Sequence, residues 1–160
     1  MGMSVAEDES HFTLWCLMSW PLIIGHDVRN QTADTLRILT NSELLSISAD
    51  PMGRAAKLVG GTRAITASTQ VYLRQLIDGD FVAALYNRDD SKALAITLHW
   101  GSMWMPAVQP MAVRDLWRHR EVGVHSHNFT ATVSPHGIKV FRFRQLAWRP
   151  PNRTRHSSTG

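Results

Sequence analysis

The chain has 160 residues, of which 44% are hydrophobic and 19% charged, a composition typical of a globular domain and not of a disordered chain. Its formal net charge is +4, but five arginines of the last twenty residues carry that excess. A basic chain end is usually solvated, so this pattern does not favour nucleic-acid binding. No apolar run reaches the roughly 18 residues of a membrane-spanning helix. Cys16 is the only cysteine, which excludes an internal disulfide and a cysteine-based zinc site.

The first thirty residues predict a helix followed by a short strand. Residues 4–19 have apolar side chains at helical spacing, and Ser4 with Glu7 forms a capping-box pattern at their start. Pro21 ends this helix, and the apolar residues 22–25 predict a strand covered on both faces. The polar residues 26–30 follow that strand. Ligand sites of α/β folds lie at the carboxyl ends of strands, so we first look for function there.

A second helical stretch covers residues 33–48, with a break near residues 40–42 and an end at Asp50-Pro51. Helix, strand and helix make only one and a half repeats of an α/β fold. Such a piece cannot bury its own apolar faces, so we expect residues 1–50 in isolation to aggregate or to be disordered.

The remainder predicts an antiparallel β-sandwich. Residues 53–68 form a connector without a clear period, and from residue 70 apolar residues alternate with polar ones. Asp78-Gly79 is a hairpin signal. Six strands are predicted, at residues 71–76, 81–86, 94–98, 111–116, 129–133 and 138–143. Residues 147–160 read as a basic, disordered tail.

Three groups of residues could carry chemistry. Asp78/Asp80 and Asp89/Asp90 have the spacing of acidic pairs but lie in predicted turns, where Asp binds the local backbone. Asp27 follows the predicted buried strand, and Arg29 is available as its structural ion-pair partner.

Histidines and tryptophans give weaker signals. His125 and His127 would share one strand face, but no third metal ligand is patterned nearby, so a surface pair is favoured. Three tryptophans could stack on sugars, although a role in the sandwich core is the commoner one: Trp100, Trp104 and Trp117. Cys16, flanked by Trp15 and Leu17, reads as an inert buried thiol.

Localisation is left open by the sequence. N-x-S/T sequons occur at Asn30, Asn128 and Asn152 and hint at a secreted parent. The first ten residues carry only acidic charge, so they do not form a signal peptide.

Several sequence words, in order and in spacing, resemble the closing segment of the melibiase-type α-galactosidases (glycoside hydrolase family 27). They begin with Gly2-Met3-Ser4, HFTLW at residues 11–15, and PLIIG with DVRN at residues 21–30. They continue with TLRILTNSE at residues 35–43, DPMG at 50–53, FVAALYNR at 81–88, VRDLWRH at 113–119 and FTATVSPHG at 129–137. The resemblance covers residues 2 to about 146.

This resemblance implies an α+β fragment: the last β/α unit of a (β/α)8 TIM barrel at residues 1–52, a connector at 53–68, a Greek-key antiparallel β-sandwich at 69–146 and a tail at 147–160. It implies a parent hydrolase that removes terminal α-galactosyl groups with retention, through two aspartates on earlier barrel strands. The family's K-Y-D-x-C motif is absent from this chain. We therefore assign no catalytic, cofactor or metal residue here, and we expect the chain alone to be an inactive, truncated portion.

Two alternatives from the sequence stay open. A non-catalytic carbohydrate-binding or interaction module would use the sandwich and its tryptophans. A fragment of an α-N-acetylgalactosaminidase would share the same words, because the residues that read the 2-substituent of the sugar lie outside them. The expected ligands are α-galactosides, with no cofactor, no nucleic acid and no membrane, while the oligomeric state is left open.

Overall fold

The computed structural model describes residues 2–25, 27–59 and 68–147. Three helices come first: α1 (Val5–Leu17), α2 (Ala33–Leu39) and α3 (Ser42–Ser48). Eight strands follow: β1 (Lys57–Leu58), β2 (Thr69–Gln75), β3 (Phe81–Asn87), β4 (Leu94–His99), β5 (Met111–Asp115), β6 (Arg120–His125), β7 (Asn128–Val133) and β8 (Ile138–Gln145). A 3-10 turn, Trp100–Met103, links β4 to the loop before β5.

Each helix begins at a residue whose side chain accepts hydrogen bonds from the first turn. Ser4 caps α1, and Glu7 completes the predicted capping box by accepting a 2.7 Å bond from the Ser4 amide. Thr32 caps α2 and Asn41 caps α3 in the same way. The Asn41 cap explains the predicted break in the second helical stretch, because it starts a new helix: only two residues separate the end of α2 from the start of α3.

The strands form a six-stranded sheet in the order β1-β2-β3-β8-β5-β6 and a two-stranded sheet of β4 and β7. All pairs are antiparallel. Gly79, at a φ of 88°, allows the tight hairpin between β2 and β3 that Asp78-Gly79 predicts. The chain passes from one sheet to the other between β3 and β4. The two sheets pack face to face around a shared core and form a β-sandwich, as predicted.

The six-stranded sheet is covered on both faces. One face packs against β4 and β7 around a core that includes Trp100, Phe129 and Phe143. The opposite face packs against the helices around a second apolar core. Its buried residues include Phe12, Cys16, Leu17, Ile38, Leu44, Ile47, Val82, Ala84 and Val140. Strand β3, in the middle of the sheet, is therefore buried at six of its seven positions.

The apolar faces of the helices are covered, although the sequence predicts that residues 1–50 have no partner for them. The sheet supplies that partner, since Cys16, Leu17 and Leu44 have no exposed surface. Residues 22–25 are different again. They form no strand, and Leu22, Ile23 and Ile24 are 38%, 86% and 52% exposed, so the prediction of a strand covered on both faces is wrong for this structure.

Two strands were not predicted. Strand β1 lies inside the predicted connector, and only two residues pair there. Strand β6 was not predicted, and its residues are exposed at nearly every position, as expected of an edge strand. The predicted tail lies outside the described residues from position 148 onward. Within the described part of the chain, no helix has the length and hydropathy needed to cross a membrane.

Candidate functional site

A cleft lies where the sequence directed attention, beside the segment that follows α1. It has a volume of about 610 Å³ and opens between α1, α2 and residues 22–25 and 30–32. Apolar and polar side chains share its wall: Asp8, His11, Phe12, Trp15, Leu22, Ile23, Ile24, Asn30, Gln31, Thr32, Thr35, Ile38, Leu39 and Leu45. A concave site of this size with a few polar groups is a typical small-molecule or peptide pocket.

One aromatic wall of the cleft is fixed by helix geometry. His11 and Trp15 are one turn apart on α1, and the Trp15 indole nitrogen donates a 2.8 Å hydrogen bond to Nε2 of His11. Trp20 packs edge-on against Trp15 with ring centroids 5.1 Å apart. The bond to His11 holds the indole in one orientation and assigns the proton of the imidazole to its other nitrogen.

The cleft has only one acidic residue, Asp8, among the described residues that line it. Retaining hydrolysis of a glycosidic bond needs two carboxyl groups about 5 Å apart, one as nucleophile and one as acid/base. Asp8 alone does not supply the pair of carboxyl groups that this reaction needs.

The predicted pair of Asp27 and Arg29 is present and is a surface feature. The guanidinium donates two hydrogen bonds to the carboxylate, at 2.9 and 2.7 Å, and the two side chains are 52% and 86% exposed. The structural ion pair is confirmed, but the burial that motivated it is not, because the preceding segment is itself exposed. An ion pair so exposed contributes little to stability.

The other acidic pairs have structural roles, as predicted, but only Asp78 and Asp89 bind the local backbone: Asp78 accepts from the amide of Asp80 at 3.0 Å, whereas Asp80 and Asp90 bind side chains. Asp80 binds Arg142 at 2.7 Å and Arg144 at 3.3 Å, and Asp78 binds Arg142. Asp89 accepts bonds from the amides of residues 91 and 92, which lower its pKa. Asp90 lies 3.2 Å from Nε2 of His136.

The histidine pair does not share a strand face. His125 ends β6 and packs edge-on against Phe129, at 5.0 Å between centroids, whereas His127 lies in the following turn with a φ of 71°. No group of three metal-ligating side chains is found within residues 2–25, 27–59 and 68–147. Cys16 is buried, and burial raises the pKa of its thiol to about 12, so it is not a nucleophile at neutral pH.

The sequence words of the resemblance meet in space between the helices and the sheet. Glu43, from TLRILTNSE, accepts bonds from Arg114 at 2.7 and 2.8 Å and lies 2.7 Å from Nδ1 of His119, both from VRDLWRH. The hydrogen bond from Arg114 is the main reason that the pKa of Glu43 is lowered. Asn41 donates to the Leu116 carbonyl. The residues of these sequence words thus form the interface on which the helices dock against the sheet. Their separate positions in the sequence did not reveal that they meet.

Arg74 is a buried structural residue that sequence reasoning missed altogether. Its side chain has no exposed surface, it donates to the carbonyl of Cys16 at 3.2 Å, and Nη2 lies 3.6 Å from Asp50. Burial lowers the pKa of Arg74, and Asp50 opposes that change. In sequence Arg74 is one polar position of a strand, and nothing marks it as buried.

The tryptophans divide by environment. Trp100 is fully buried and donates to the carbonyl of Gln109 at 2.8 Å, and the Trp117 indole donates to Thr13 at 3.1 Å, so both have core or interface roles. Trp104 is 83% exposed. Of the three candidates for sugar stacking, only Trp104 presents its ring to solvent.

Comparison with known proteins defines the class first. Residues 66–143 match the family described as the alpha-galactosidase C-terminal beta sandwich domain. The chain is 36% identical over 141 residues to "Alpha-galactosidase 3" of Arabidopsis thaliana, covering 88% of this chain and 32% of that protein. A "Probable alpha-galactosidase" of Dictyostelium discoideum is also 36% identical, over 142 residues, covering 85% of this chain and 35% of that protein.

Solved structures agree. Alpha-galactosidase I from Mortierella vinacea superposes with a TM-score of 0.83 at 29% identity, covering 89% of this chain and 36% of that one. The chain is related to the melibiase-type α-galactosidases, as the sequence words predict, and corresponds to their C-terminal portion. It spans about a third of the length of the curated relatives it matches.

Proposed function

We propose that this chain is the closing portion of an α-galactosidase, which hydrolyses terminal α-linked galactosyl groups, and that the chain alone has no turnover. The observation that carries the proposal is the joint packing of helices and sandwich, which aligns over 89% of the chain with alpha-galactosidase I from Mortierella vinacea. Asp8 is the single carboxylate among the described residues that line the cleft. It supports the proposed lack of turnover, because retaining hydrolysis requires two carboxyl groups.

The finer architecture is part of the proposal: residues 1–52 close a (β/α)8 barrel, 53–68 connect, 69–146 form the sandwich and 147–160 are a tail. Residues 22–25 support the barrel assignment. They are apolar and exposed, and no backbone hydrogen bond reaches them from any described residue. Such a segment is satisfied when strands pair with it on both sides, as barrel strands do.

In that arrangement, the sandwich and helices supply a rigid base for the missing strands. The interface of Glu43, Arg114 and His119 and the buried Arg74 fix the helices on the sheet. The catalytic carboxyl groups come from the barrel portion of the complete enzyme.

A chimera tests the proposal. The chain is joined to the preceding two thirds of the Arabidopsis relative, and turnover of an aryl α-galactoside is compared with that of the purified chain alone. We expect turnover by the chimera and none by the chain. A matched chimera with Ile23→Asp places a charge on the segment proposed to enter the barrel, and we expect it to lose most activity or solubility.

Three results would contradict the proposal. Turnover by the isolated chain, free of host glycosidase, would show that it holds its own catalytic groups. A folded chimera without turnover, or an Ile23→Asp chimera as active as its parent, would show that this chain does not complete such a barrel.

A further inference from the structure

The loop between β4 and β5 exposes one large aromatic ring. Trp104 is 83% exposed, more than any other Trp, Phe or Tyr side chain in residues 2–25, 27–59 and 68–147. Single exposed apolar residues are common and by themselves mean nothing. Two further observations set Trp104 apart: the backbone on which it stands and the rigidity of its loop.

Trp104 has a left-handed backbone, with φ 54° and ψ 28°. For a residue with a bulky side chain this conformation is unfavourable by about 1–2 kcal/mol relative to the right-handed one, and glycine or asparagine would relieve it. The strain brings no burial in return, because the side chain contacts mostly solvent. Strained positions of this kind cluster where a side chain must be presented to a ligand.

The loop around Trp104 is anchored on both sides. Met103 is buried, Met105 packs against the sandwich core, and the Met105 amide donates to the carbonyl of Trp100 at 3.1 Å. Gln109 fixes the end of the loop by donating to the carbonyl of Leu146 at 2.7 Å. With its neighbours turned inward, the indole stands on a fixed backbone, so the loop loses little further freedom on binding.

The turn after β6 adjoins this loop and supplies polar groups. The amide of His127 donates to the carbonyl of Ala107 at 2.6 Å, and the amide of Trp100 donates to the carbonyl of His127 at 3.0 Å. His127, Ser126 and Asn128 are exposed, and His127 also has a positive φ, of 71°. The loop that carries the exposed ring and the turn that carries hydroxyl, imidazole and amide groups are hydrogen-bonded to each other, and together they have the two components that a sugar surface needs.

We propose that Trp104 is a stacking platform for a galactosyl group, in a non-catalytic binding surface remote from the cleft. The axial hydroxyl of galactose leaves the opposite ring face lined by C–H groups, which pack on the electron-rich face of an indole. The choice of galactose rests on the proposed function, since a hydrolase of galactosides encounters that sugar in its substrates. Binding at Trp104 needs no hydrolysis, so the binding proposal and the proposed function can fail separately.

Affinity electrophoresis in native gels tests the platform. The full chain is run in gels that contain galactomannan, unsubstituted mannan or no polysaccharide. We expect galactomannan alone to retard the wild type, and we expect Trp104→Ala to bind about tenfold more weakly. Trp104→Phe should keep most of the retardation, and Leu58→Ala, an exposed apolar change on β1, should keep all of it.

Trp104→Asn separates loss of binding from loss of folding. Asparagine tolerates the left-handed backbone, so this variant should melt at the wild-type temperature or slightly higher and still lose retardation. Equal retardation of wild type and Trp104→Ala would overturn the proposal, as would no retardation of the wild type. Retardation by both polysaccharides would overturn the galactosyl assignment, and self-association lost in Trp104→Ala without sugar dependence would make the ring a contact between copies.

Discussion

The two faces of the six-stranded sheet are built differently. Toward β4 and β7 the core is apolar and rich in rings, with Phe129 4.7 Å from Phe141 and 5.7 Å from Phe143 between centroids. Toward the helices an apolar core is interrupted by buried polar groups, among them Arg74, Thr13 and Asn41. The first face is a domain core, and the second has the composition of an interface between layers that must dock in one register.

Arg74 shows how the helical face is specified. Helix α1 has no basic residue in its last turn, and Arg74 supplies the missing cation from β2 by donating to the carbonyl of Cys16. Asp50 accepts bonds from the amides of Met52 and Ile77 and compensates the charge of Arg74. A strand residue thus caps a helix and pairs with the end of another, which fixes the helices on the sheet.

The largest effect is expected on the ring-rich face. Phe143→Ala removes a fully buried ring that contacts Trp100 and Phe129, and we expect it to destabilise the fold by about 3–5 kcal/mol. Denaturant unfolding, followed separately by tryptophan fluorescence and far-ultraviolet circular dichroism, measures this. Both signals should shift together, because the helices have no partner once the sheet opens. Helical signal that survives the loss of the sheet would contradict that dependence.

A somewhat smaller effect is expected from Arg74→Met, and it should be local. The change leaves the Asp50 carboxylate buried without its cation and the end of α1 without its donor, at a cost of about 3 kcal/mol. Hydrogen exchange should quicken in α1 and α3 and stay slow in β3 and β8.

Two variants control this prediction. Arg144→Met, which removes a 65% exposed partner of Asp80, should change exchange little. The double variant Arg74→Met with Asp50→Asn should recover part of the loss, because no buried charge remains unpaired. Equal acceleration in the helices and the sandwich would mean that the two faces unfold as one unit.

The ring-rich face was predictable from the sequence, and the helical face was not. Alternating apolar residues located β2, β3, β4, β5, β7 and β8, and Ser4, Asp50-Pro51 and Asp78-Gly79 marked local starts, stops and turns. These signals act within a few residues. The pairing of Glu43 with Arg114 spans 71 positions, and Arg74 reaches Cys16 across 58, so no local period reports them.

The sequence predicted the position of the candidate site, but not the exposure of the apolar segment beside it. The sequence directed attention to residues 22–30, and the cleft lies beside them. The run of Leu22, Ile23 and Ile24 predicted a covered strand because apolar composition reports what a segment needs, not whether its partners are in the same chain. The same reasoning favoured a core role for all three tryptophans and missed the exposure of Trp104, which depends on a left-handed backbone that sequence alone does not show.

The smallest effect concerns pH and again separates the two faces. Arg114 and His119 lower the pKa of Glu43 in the folded chain, so this carboxylate stabilises the fold above the ordinary glutamate pKa near 4.3, and the contribution is lost as the pH falls through the folded value. With Glu43 24% and Arg114 34% exposed, we expect it to be on the order of 1 kcal/mol. Urea unfolding of wild type and Glu43→Gln at pH 7, 5 and 3 measures the difference, which should be similar at pH 7 and pH 5 and smaller at pH 3. Glu121→Gln is the matched control, because Glu121 is 65% exposed and only 3.3 Å from the same arginine. A difference between wild type and Glu43→Gln that stayed constant from pH 7 to pH 3 would mean that Glu43 contributes shape and not charge, and that the helical face is held without it.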